Sequence, residues 1–166
     1  MSYEIAKGKA WEELCNLKPA KKLEVKFLGD GYEVDPKERT ILSLSCNVPA
    51  KDFYVVLILH YLIKKLQGLP KATGEWLTFR ELAEVEGYFD AFKKRAIDPI
   101  IRKYGSQPQD SAITVDAFEG VPVLIKIWKP DEDFGPDANI YFDKSIKEIF
   151  CIEDIVVLAG IVAASL

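Results

Sequence analysis

Proton transfer near neutral pH falls, in this chain, to one imidazole: His60 is the single histidine among 166 residues. A Ser-His-Asp or Cys-His nucleophile can be built only on His60, and any metal site needing two imidazoles is excluded. His60 lies one turn from Lys64 on the mixed face of an apolar helical segment. The plainer reading is a packed histidine held by a backbone or carboxylate partner. The sharper ones are a contact to a bound cofactor and acid–base work. A second group, Glu75, Trp76 and Arg80, flanks a tight turn at Thr73-Gly74. Tryptophan supplies a flat apolar face with one N–H donor, and arginine a planar fork for carboxylate or phosphate. Together they suit a ligand with a ring and an anionic group. The competing reading has Trp76 and Phe79 stapling the loop to the body, with Arg80 in a surface ion pair.

Asp131, Asp133 and Asp137 share one loop, and calcium loops space their oxygens in this way. Pro136 and the missing distal glutamate spoil that pattern, so an exposed acidic loop is expected and no metal ligand is assigned. There is no P-loop, G-x-S-x-G or H-E-x-x-H. Gly29-Asp30-Gly31 is not a phosphate loop, because no helix follows and a third glycine is missing. Cys15, Cys46 and Cys151 are widely spaced and form no C-x-x-C. They read as reduced, mostly buried thiols in a reducing compartment, and the N-terminus lacks a signal-peptide pattern, so a cytoplasmic location is expected.

The formal net charge of −4 argues against phosphate-backbone binding, so nucleic acid is not an expected partner. Residues 104–166 carry four Lys/Arg against eleven Asp/Glu, an acidic rim that is either solvated or a face for a basic partner or cation. Hydrophobic residues make up 49% and charged residues 29%, which suits one folded domain over 1–166. The longest uncharged apolar run, 155–166, is too short to span a bilayer, which needs roughly 20 residues, and reads as a buried terminal helix.

The elements that must position these residues follow from periodicity. Tyr3, Ala6, Ala10, Leu14 and Leu17 predict a helix over 3–17, capped by Ser2. Strands at 23–28, 32–34 and 40–44 predict a meander, with its first turn at Gly29-Asp30-Gly31. Residues 50–67 predict the strongest helix, partly covered on its second face. Thr78-Phe79-Arg80-Glu81 matches a capping box opening a short helix, 79–84. A helix over 87–97 buries Tyr88, Phe89, Phe92 and Ala96; at Asp98-Pro99 it kinks or restarts, and it ends at Gly105. Extended chain at 112–117 and strands at 121–128 and 139–142 follow, the last two as a hairpin. The nearly continuous apolar run of 121–128 marks a central strand. Glu153-Asp154 opens the terminal helix. The fold class is α+β: a mostly antiparallel sheet, from the N-terminal meander and the C-terminal hairpin, with helices packed on it.

Several segments together resemble an uncharacterised prokaryotic family, DUF3786. They are Ile58–Leu62, Thr73–Trp76 running into Phe79–Leu82, then Trp128, Asp131, Glu132 and Phe134, Phe142, Asp143 and Ser145, and Glu153-Asp154. The resemblance covers roughly residues 20–160. It implies an accessory or binding role in anaerobic cofactor or one-carbon metabolism. Some family members carry an added cysteine-rich iron–sulfur segment that this chain lacks. The family supplies no catalytic residues to carry over.

The leading expectation is a non-catalytic binding or accessory module for a small cofactor or a partner protein, of unknown identity, with a site formed by His60, Glu75, Trp76 and Arg80. That site assumes that the 70–80 loop covers the mixed face of the 50–67 helix. The alternatives are a small enzyme using His60 with Glu75 or Glu81, and an assembly subunit docking through apolar surface.

Overall fold

A computed structural model describes residues 3–83 and 86–166. The fold is α+β, and the chain divides into two compact units, 1–70 and 71–166. The Ser2 cap and the end of the 79–84 helix lie outside the described residues.

In the first unit, α1 (Tyr3–Asn16) precedes an antiparallel meander of β1 (Leu23–Phe27), β2 (Asp30–Asp35) and β3 (Thr40–Ser43), and α2 (Asp52–Gly68) closes it. Strand alternation sends Val25, Phe27, Tyr32, Val34 and Ile41 to one buried face. The ring of Tyr54 on α2 meets Phe27 edge-on at 5.2 Å and Tyr32 at 6.4 Å, so α2 is seated on the meander. Helix α1 lies against α2, with Ala10, Trp11 and Leu14 buried. The ends of its expected stripe, Tyr3 and Leu17, are exposed, although the Tyr3 ring lies 6.5 Å from that of Phe53 on α2. The first hairpin turn falls at Leu28-Gly29, one residue earlier than expected. Both carry positive φ, 49° and 87°, as a two-residue turn matched to strand twist requires, and Asp30-Gly31 already belong to β2.

The second unit holds a four-stranded antiparallel sheet in the order β4-β7-β6-β5, formed by β4 (Trp76–Thr78), β5 (Ser111–Phe118), β6 (Val121–Trp128) and β7 (Asp137–Asp143). The meander and the hairpin therefore stand in separate sheets, and the short segment before the capping box adds a strand to the second. Strand β6 is central, but only Val121, Val123, Ile125 and Ile127 are buried, while the residues between them are half-buried. An antiparallel sheet needs helices on one face only.

That face is covered by α3 (Phe79–Leu82), α4 (Phe89–Phe92), a π-helical turn (Lys93–Ile97) and α5 (Asp98–Tyr104). The helix does not restart at Asp98-Pro99; it runs on through a π-helical turn, the kind of insertion at which helices kink. Asp98 keeps helical angles (φ −59°, ψ −42°), and its amide donates to Lys93 O, five residues back. The widened turn places the missing proline N–H where the bonding ladder is already shifted. Tyr88 and Phe89 are half-buried rather than core residues, whereas Phe92 and Ala96 are buried.

Helix α6 (Ile152–Ser165) packs on this helical stretch with Ile155, Leu158, Ile161 and Val162 buried, as its apolar run predicts. Asp154, in its first turn, suits the positive helix end. Among the described residues no helix is long and apolar enough to cross a membrane. The cysteines are free, but Cys46 and Cys151 are exposed and Cys15 is half-buried. The expectation of mostly buried thiols fails because two of them sit in connections, where apolar pattern does not decide burial.

Two glycines in the second unit separate by their surroundings. A Cβ on Gly105 would meet Ile101 O at 2.5 Å and Pro136 Cγ at 2.9 Å, whereas on Gly160, inside α6, its nearest neighbours lie at 3.5 Å. Gly105→Ala should destabilise the protein by about 1–3 kcal/mol through forced displacement of backbone. Gly160→Ala should stabilise it by up to about 1 kcal/mol through helix propensity. Thermal melts of the two variants check both signs.

Candidate functional site

The loop 71–75 has little regular structure and is held by one carboxylate. Asp143, at the end of β7 and only 2% exposed, accepts hydrogen bonds from the amides of Thr73 at 2.9 Å, Gly74 at 2.8 Å and Ser145 at 3.0 Å, and from Thr73 Oγ1 at 3.2 Å. Gly74 takes φ +77°, which brings its amide round to the same carboxylate. The Lys144 amide then donates to Glu75 O at 2.9 Å, and β4 pairs with β7 from Trp76↔Asp143 to Thr78↔Tyr141. Burial alone would raise the Asp143 pKa. The amides of Thr73, Ser145 and Gly74 outweigh it and hold the carboxyl at about 2.

Beyond β4 the capping box forms as the sequence predicts. Thr78 Oγ1 accepts from the Glu81 amide at 3.3 Å, and Glu81 Oε2 accepts from the Thr78 amide at 2.7 Å. The cap turns the chain out of the sheet and into α3. Phe79 then stacks on Phe92, with ring centres 4.4 Å apart and planes 8° from parallel, which fixes α3 against α4. Arg80, the next residue, lays its guanidinium over the Phe89 ring at 3.6 Å.

These contacts border a cavity of about 400 Å3, lined by Thr78, Arg80, Phe89, Phe92, Lys93 and Ile97 and by the first residues of β7. The wall is apolar and aromatic, with two cations, Arg80 and Lys93, and the carboxylate of Asp137. Among the described residues neither Arg80 nor Lys93 has a carboxylate within salt-bridge distance. The cavity can therefore hold an anion against a guanidinium whose π-face is already occupied and whose N–H edges remain to donate.

The candidate residues from the sequence distribute as follows. Arg80 lines the cavity. Trp76, half-buried on β4, and Glu75, exposed and 3.5 Å from Lys144 Nζ, are not among its walls. His60 is half-buried on α2 in the first unit. Glu81 is engaged in the cap. Asp131 Oδ1 accepts the amides of Asp133 and Phe134, at 2.9 and 2.7 Å, and so serves its own loop. Sequence reasoning missed Lys93 and Asn139; of the two rings it assigned to the core, Phe92 is buried and Phe89 half-buried. A usable signal was available at Asp143: an Asp-x-Ser after a strand commonly caps the next turn.

The family model for a domain of unknown function, DUF3786, matches residues 10–110 and 106–165. The chain belongs to DUF3786. Within this DUF3786 chain the matched stretches include β4, the capping box, the cavity-lining residues and Asp143. No curated protein and no solved structure matches it.

The Asp143 carboxyl titrates lower in the folded chain than in the unfolded one. Its contribution to stability is therefore present above the unfolded value near 4 and is lost as pH falls through about 2. About 2 kcal/mol is at stake, following the linkage between pKa shift and stability. Asp143→Asn should lower stability at neutral pH by that order and flatten the fall between pH 4 and 2. Denaturant melts of both proteins across that range check it.

Proposed function

We propose that this chain is a non-catalytic binding module whose cavity takes a small organic anion with an apolar or ring part. The observation that carries the reading is Arg80, held over Phe89 at 3.6 Å beside Lys93 at the mouth of a concave aromatic wall. Stacking orders the guanidinium in advance, so less side-chain freedom is lost when a carboxylate or phosphate arrives. Thr78 and the Asn139 amide supply further polar groups, and Phe92 and Ile97 the apolar floor. Glu75 and Trp76 do not line the cavity and are not used in this reading. His60 belongs to the other compact unit and is not used in this reading.

The family resemblance directs such a module toward accessory work in anaerobic cofactor or one-carbon metabolism. Three free cysteines suit a reducing compartment, and we place the protein in the cytoplasm on that ground.

Titration calorimetry with a panel of aromatic and aliphatic carboxylates, benzoate first, tests the proposal. Arg80→Ala should weaken the best binder about ten- to a hundredfold through loss of a charged hydrogen bond. It should leave the melting temperature nearly unchanged, since Arg80 is exposed. A panel without a binder, or binding indifferent to Arg80→Ala, would end this reading.

A further inference from the structure

Strand β7 is longer than the strand beside it. Residues 137–142 pair with β6, but β4 pairs only with 141–143, so among the described residues no strand pairs with 137–140 on that side. The capping box makes this gap by turning the chain away at Thr78. Successive residues of a strand send their backbone groups to alternate sides. The Ala138 amide is held by Asp137 Oδ1 at 2.8 Å and the Ile140 amide by Asn139 Oδ1 at 2.9 Å, so neither is spent on β6. By alternation both lie on the side where Phe142 meets Leu77; Ala138 lines the cavity, and Ile140 is fully buried next to it. The cavity opens at the same place: Asp137, Ala138 and Asn139 line it together with Thr78 and Arg80. A sheet edge with amides held only by adjacent side chains, beside two cations and an apolar floor, has the chemistry of strand addition.

We propose that the ligand of this cavity is an extended peptide segment bearing one carboxylate, laid beside β7 in the lane left empty by β4. This rests on the anion-binding reading above and names the ligand class. Peptide carbonyls replace Asp137 Oδ1 and Asn139 Oδ1 at the amides of Ala138 and Ile140, exchanging two local hydrogen bonds for main-chain ones. An apolar peptide side chain meets Phe92 and Ile97, and the carboxylate meets Arg80 and Lys93. Asp137 in the same wall disfavours a second acidic group. The carboxylate is supplied by the peptide C-terminus or by an Asp or Glu side chain, which present the same chemistry to Arg80.

The test uses the full chain, labelled with 15N, and three probes: a pool of random hexapeptides with one Glu and free C-termini, the same pool ending in amides, and benzoate. A selected hexapeptide should shift the Ala138 and Ile140 amides and slow their hydrogen exchange about tenfold or more. N-methylating alternate peptide nitrogens should weaken it by about tenfold or more through loss of main-chain bonds. Benzoate should shift Arg80 Nε and leave the Ile140 amide in place. Binding kept in the amidated pool assigns the carboxylate to the side chain; binding lost there assigns it to the C-terminus. If benzoate binds through Arg80 while no hexapeptide moves these amides, or if N-methylation has no effect, the peptide inference falls and the anion reading stands. If neither benzoate nor any hexapeptide binds, both fall.

Discussion

The carboxylate of Asp143 collects the amides of Thr73, Gly74 and Ser145 at the end of β7. Hydrophobic burial has no direction, and a three-residue strand such as β4 could slide along its neighbour with little change in buried area. Three hydrogen bonds from Thr73 and Gly74 to one buried group remove that freedom. They set which residue of β4 stands opposite Asp143, and so where β4 must stop. A buried carboxylate without those donors would be costly, so the charge and the loop geometry require one another.

From that register the cavity follows by short steps. Trp76↔Asp143 places Thr78 opposite Tyr141, and the capping box then turns the chain into α3. Among the described residues, the turn leaves 137–140 of β7 with no paired strand on one side. The Phe79–Phe92 stack holds α3 and α4 together, and the π-helical turn carries Lys93 and Ile97 into the same wall. The cavity is thus a gap in a sheet, roofed by helices that the cap has redirected. Its lining carries the cations Arg80 and Lys93 together with Thr78, Asp137 and Asn139.

Much of this was legible in the sequence, for identifiable reasons. Alternation marked β1, turn signals bounded β2 and β3, apolar runs marked β6 and α6, and helical spacing marked α1 and α2. The Thr78–Glu81 cap was legible because both partners lie within four residues. What escaped depends on residues far apart in the chain. Asp143 acts on Thr73, 70 positions away. Asn139 looked like one polar position in a strand, and Lys93 like one more cation on a solvated helix face. Phe89 looked like core, yet it is half-buried under Arg80. The π-helical turn before Asp98-Pro99 escaped for another reason: local rules disfavour helical angles before proline, and the widened turn overrides them. The site foreseen around His60, Glu75, Trp76 and Arg80 rested on nearness in sequence, and of those four only Arg80 lines the cavity.

The central claim is that Asp143 fixes the register of β4 and thereby keeps the cavity open. Amide hydrogen exchange of Asp143→Ala against the parent chain at neutral pH tests it most directly. The account expects protection to be lost at Leu77 and its neighbours in β4 and altered at Ala138 and Ile140, with β1 to β3 and the β5–β6 pair unchanged. Protection at Leu77 equal to that of the parent would contradict it, since β4 would then hold its place without the carboxylate.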